Sequence, residues 1–202
     1  MIEAKEIQIM QQKVLIKLNP ESIKMPKYRT KATGEMANSV ACPRGVDEVY
    51  SLGVSMQNYI GAIYLELTDL SKFPKKNLYT GLALHQLKVK KEIEKLGNYN
   101  LDRMLEYFYN NRGPIMEPPV SEESIREIQP AFDRNVAAFL TQIDFLVNRT
   151  FKGEMSPRDL DTEISRQIVA MYTAMRNLFH DDEMQQAFDE LINVRMTIPE
   201  DQ

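Results

Sequence analysis

A single cysteine, Cys42, stands in a chain of 202 residues. No intrachain disulfide can form, so a small secreted fold stapled by disulfides is excluded and a reducing cytoplasm is the expected home. Histidine is nearly as scarce, with His85 and His180 the only two. Neither has a glutamate three residues before it, since Leu82 and Asn177 hold those positions, and the Glu-x-x-His pairs that build di-metal centres in helical bundles are missing. Glycine numbers eight and is scattered. Neither G-x-G-x-x-G nor G-x-x-x-x-G-K-S/T occurs, which removes the usual phosphate-cradling loops, and there is no G-x-S-x-G nucleophile elbow.

Long apolar runs are also lacking. The most apolar stretch, Val54 to Leu70, is broken by Gln57, Asn58, Glu66 and Asp69, short of the roughly 18 to 20 apolar residues that a membrane span requires. It reads as a buried helix. At the N-terminus Glu3, Lys5, Glu6, Lys13 and Lys17 interrupt the apolar residues, so no export signal is expected.

What is present is an ordinary globular balance, 43% hydrophobic and 27% charged, enough to bury a sizeable core. The charge is unevenly divided. Residues 1–100 carry 15 Lys and Arg against 10 Asp and Glu, and residues 101–202 carry 10 against 19. A net charge of −4 thus conceals a basic half and an acidic half.

Apolar spacing predicts a mainly α protein, an irregular bundle of five to seven helices with an N-terminal strand-like or extended arm. Leu160, Ile164, Ile168, Met171, Met175 and Leu178 recur at steps of three and four, the signature of one helical face. Ser156 caps that helix, Pro157 occupies its first position, and it is expected to reach about Phe179. Phe132, Val136, Phe139, Ile143 and Leu146 form a second stripe, with Leu140 and Val147 widening it and Gly153 as its stop. Pro130 fits a helix interior badly, so a short helix at about 121–128 should break there before a restart. Residues 47–70 form a candidate central helix. A further helix over 80–96 should end at Gly97-Asn98, with a short one following to Tyr109, and Asp182 should cap a last helix carrying Met184, Phe188 and Leu191.

Residues 1–45 read as the arm and 46–202 as the helical domain, with a linker or crossover at 110–120. Ile7, Ile9, Val14, Ile16 and Leu18 favour a strand over a helix. The rest of the arm, with Pro20, Pro26, Gly34, Pro43 and Gly45, shows little periodicity.

Two groups of residues suit partner binding. Lys24, Lys27, Arg29 and Lys31 surround Tyr28 without an intervening acid, a pattern fit for phosphates or an acidic protein face; a solvated loop is the plainer reading, and a pI near 5.4 weighs against nucleic acid. Tyr107, Tyr109 and Arg112 combine residue types that anchor protein interfaces. His180-Asp181-Asp182-Glu183 reads as a solvated helix junction rather than a metal site, His85 as a packed or surface residue, and Cys42 as a poor candidate for catalysis. The twelve methionines look like core filling, and no cofactor is expected. The sequence therefore favours a non-catalytic intracellular interaction or assembly protein that pairs with a protein partner or with itself. The alternatives are a nucleic-acid-associated protein working through residues 24–31, and an enzyme or small-ligand binder whose site is assembled from scattered polar residues.

Overall fold

A computed structural model describes residues 29–111 and 120–198, and the described residues form six helices. They are α1 (Lys31–Ala37), α2 (Val46–Leu70), α3 (Lys75–Asn111), α4 (Glu122–Phe151), α5 (Pro157–Arg176) and α6 (Asp182–Thr197). The protein is mainly α, as expected, and the described residues contain no strand. The strand expected over residues 7–18 lies outside them, as does most of the 110–120 linker.

α2 is the central element, and it buries Val49, Leu52, Met56, Ile60, Ile63 and Leu67. It forms a hairpin with α3 and also packs on α1 and α6. The approach to α6 is close: a Cβ at Gly53 would stand 2.5 Å from Cδ2 of Leu191. Sequential neighbours α4–α5 and α5–α6 also pack together, as short connections favour.

The start of α5 follows the predicted chemistry. Ser156 Oγ accepts the Asp159 N–H at 3.1 Å and Pro157 fills the first turn. Five residues of the expected stripe, Leu160 to Met175, are buried, and Leu178 is half-buried beyond the helix. α4 stops as foreseen at Gly153, whose φ is +73°. Its N–H donates to Thr150 O and the Glu154 N–H reaches back to Arg149 O, both at 3.0 Å. These paired bonds satisfy carbonyls that the helix end would leave open.

Four local expectations are corrected. Pro130 does not break α4, which runs unbroken through it. Its missing N–H removes the helical bond to the Arg126 carbonyl, but both residues are exposed, where water can serve. Ile125 and Phe132, on either side, are buried and hold the line. Gly97 does not end the third helix, which starts at Lys75 and continues to Asn111. A mid-helix glycine costs only about 1 kcal/mol relative to alanine, and Gly97 lies against Tyr50 of α2, where a Cβ would sit 3.7 Å from the tyrosine's own Cβ. The cap of α6 is Asp181, whose Oδ1 accepts the Met184 N–H at 2.9 Å, while Asp182 is already helical. Finally, residues 31–37, expected in an extended arm, are helical and bury Ala32, Thr33 and Met36 on the bundle.

A polar network runs through the core. The Arg195 side chain, 2% exposed, donates to Gln57 Oε1 of α2 at 3.2 Å, to Gln86 Oε1 of α3 and to Ser165 Oγ of α5 at 2.9 Å. Asp161 of α5 lies 3.8 Å from the guanidinium and also accepts the Tyr64 hydroxyl. One cation thus ties α6 to three other helices. Burial raises the Tyr172 phenol well above its ordinary pKa, against the pull of Arg195 and Gln57.

Candidate interaction surface

Two surface features stand out against this core, one a knob and the other a cleft. The knob is the turn between α2 and α3. Its sequence, Leu70-Ser71-Lys72-Phe73-Pro74-Lys75-Lys76, offers little that can be buried without taking lysines along. Phe73 is 78% exposed, and Leu65 and Leu70 of α2 and Leu78 of α3 are about half exposed. Lys72, Lys75 and Lys76 are exposed as well and have no salt-bridge partner among the described residues. The stem beneath is firm, because Tyr79 is buried and stacks on Tyr64 across the hairpin with ring centroids 6.5 Å apart. The knob is therefore an apolar and cationic projection on a rigid base.

The cleft lies between α1 and α4, with a volume of about 270 Å³. Val40, Val136, Ala137 and Leu140 give it an apolar wall, while Asp133, Asp144 and Arg29 supply charge. Asp144 is 3% exposed. Its Oδ1 accepts the Thr33 hydroxyl at 2.8 Å and the Thr30 N–H at 3.4 Å. Because the single Thr33 hydroxyl proton is given to Asp144, the Tyr59 hydroxyl at 2.6 Å and the Thr30 hydroxyl at 2.8 Å both donate to Thr33. Burial raises the pKa of Asp144, and the bonds from Thr33 and Thr30 together with the Arg29 charge pull it back in part. Burial likewise drives the Tyr59 phenol upward. Through these bonds the carboxylate anchors the start of α1 to α4.

Of the residues singled out in the sequence, Arg29 is exposed and lines the cleft. Lys31 opens α1; its N–H donates to Glu66 Oε1 at 3.0 Å and its ammonium lies 3.9 Å from Glu35. Lys24, Lys27, Tyr28 and Arg112 lie outside the described residues. The backbone at Tyr107 and Tyr109 continues α3, and their side chains also fall outside the description.

The remaining candidates are placed as follows. His85 is 8% exposed and its Nε2 lies 3.0 Å from Ile198 O, a packed position. His180 is exposed at the α5–α6 junction. Cys42 is buried, and burial together with the nearby Asp133 and Glu48 carboxylates pushes its thiol up to about 11. That is the opposite of the electropositive setting in which a thiolate reacts. Among the described residues no group of three or more His, Cys, Asp and Glu is arranged to hold a metal, and no helix is long and apolar enough to cross a membrane.

Sequence reasoning did not single out the knob or Asp144. Asp144 left a signal, since it falls four residues after Leu140 and three before Val147, within the apolar stripe of α4. Phe73 left less: an aromatic residue beside a proline reads equally well as exposed or buried. No family model matches the chain, and no match is found among curated proteins or solved structures.

Proposed function

We propose that this chain is a non-catalytic interaction or assembly protein of the cytoplasm, in which a basic N-terminal half and an acidic C-terminal half meet different surfaces. The observation that carries the reading is Phe73, 78% exposed among Lys72, Lys75 and Lys76 on the rigid α2–α3 hairpin. Exposed aromatic and apolar side chains that cluster with unpaired cations cost solubility and give the monomer nothing in return, whereas at an interface they supply an anchor and its electrostatic guide. The buried, protonated thiol of Cys42 and the anchoring carboxylate of Asp144 support the non-catalytic part of the reading.

The test is affinity capture from a cell extract with the wild-type chain and with Phe73→Asp, paired with light scattering of each protein alone. The reading predicts a partner or a larger particle that depends on Phe73. Equal capture by both proteins and an unchanged particle size would remove the hairpin from the account. A nucleic-acid role through residues 24–31 is the second reading, favoured by the exposure of Arg29 and Lys31. It predicts retention on a phosphate-rich matrix that falls steeply with salt and is lost on replacing Lys24, Lys27, Arg29 and Lys31 by Ser.

A further inference from the structure

The knob and the cleft are complementary in shape and in charge. The knob presents one aromatic ring among three lysines, and the cleft presents Val40 and Ala137 over the buried Val136 and Leu140, with Asp133 as its exposed carboxylate. A cavity of about 150 Å³ holds a benzene ring, so the 270 Å³ cleft can take the Phe73 ring with space beside it for a lysine stem. They are also neighbours. Glu66, which accepts the Lys31 and Ala32 N–H groups and so fixes the start of α1 at the edge of the cleft, is one helical turn from Leu70 at the base of the knob.

We infer that two copies of this chain pair about a twofold axis, each seating Phe73 in the α1–α4 cleft of the other. A surface that carries a knob and its matching hole side by side is self-complementary under twofold rotation, and the pairing closes after two copies. Within one copy the ring cannot serve its own cleft, since it is 78% exposed. In the pair, Lys75 and Lys76 lie along the rim that Asp133 occupies. Asp133 is exposed and bonded only to Gln129 among the described residues, at 2.8 Å, and it therefore keeps charge to offer a cation. Arg29 opposes the lysines and stays against its own Asp144, whose charge it already feels. Val136 and Leu140 at the floor of the cleft are already buried in one copy, and Ala137 at its mouth is the exposed apolar position that the other's ring would cover. This inference rests on the interaction reading and gives that reading a specific partner.

Sedimentation equilibrium of the full chain tests it, using Phe73→Ala, Ala137→Phe and the double variant. Both positions are exposed, so neither change disturbs the core, and thermal unfolding of each variant at low concentration verifies this. The wild type is expected at twice 23.4 kDa. Removing a buried phenylalanine ring from an interface corresponds to about 10- to 100-fold weaker dimerisation, and filling the cleft with Ala137→Phe should weaken it comparably. The double variant should be no weaker than the worse single one, because both changes remove the same contact. Asp133→Lys should weaken the dimer too, and adding Lys75→Glu should restore it. A wild type that stays at 23.4 kDa at every concentration overturns the pairing, while the capture experiment still decides the broader reading. A dimer that both single variants leave intact also overturns it, with the assembly reading left standing.

Discussion

Replacing Arg195 by alanine should be among the most damaging single changes in this protein. The side chain is 2% exposed and donates to Gln57, Gln86 and Ser165, with Asp161 3.8 Å from its guanidinium. The substitution leaves Asp161, itself buried, with the Tyr64 hydroxyl but no cation, and strips the donor from two amide oxygens and a hydroxyl. Breaking a buried ion pair from one side costs about 3 to 5 kcal/mol. Lost cavity packing adds to this, and water entering the space offsets part, so about 3 to 5 kcal/mol is the expected total. The partner change Asp161→Asn keeps the shape and should cost less. The two together should fall short of the sum of the singles, with a coupling of about 0.5 to 3 kcal/mol. Urea unfolding followed by circular dichroism measures all three, and hydrogen exchange should show the C-terminal turns of α6, where Arg195 sits, loosening first. An Arg195→Ala loss below about 1 kcal/mol, or strict additivity with Asp161→Asn, would show that Arg195 is not the tie between the four helices; an exposed polar substitution typically falls near that level.

Other consequences follow from the same packing. Ile143→Ala and Ile168→Ala, both at 0% exposed positions, should each cost about 2 to 5 kcal/mol in the same unfolding assay. Cys42, buried with its thiol raised from 9.0 to about 11, should resist a thiol reagent at neutral pH and react quickly once urea unfolds the chain. Asp144 has its pKa raised above 3.8 in the folded protein, so the folded state holds the proton more tightly than the unfolded one. Stability from this group is therefore present at low pH and declines as pH rises from about 4 through the raised value. Comparing melting midpoints of the wild type and Asp144→Asn over that range should show this downward contribution only in the wild type.

How far the fold was legible follows from which forces act locally. The α5 helix was readable because Ser156, Pro157 and the buried stripe all point the same way. The breaks expected at Pro130 and Gly97 were misread because their costs, about 3 and 1 kcal/mol, are local, whereas the burial of Ile125, Phe132 and Tyr50 that outweighs them is tertiary. The seven residues of α1 are too few to show a period, and what secures them is Glu66, 35 residues from Lys31, and Asp144, 111 residues from Thr33. Arg195, like Asp144, left a trace, as a cation four residues after buried Leu191. The knob left none, because only the path of the chain decides that Phe73 faces outward while Phe132 faces in.

The central claim is that this chain works by holding another protein surface. Sedimentation from low to high micromolar concentration, in low and in high salt, tests it most directly when paired with capture from a cell extract. The account predicts a particle larger than 23.4 kDa, or a retained partner, with the association weakened as salt screens the lysines of the hairpin. A particle of 23.4 kDa under every condition, with no partner held, would contradict it.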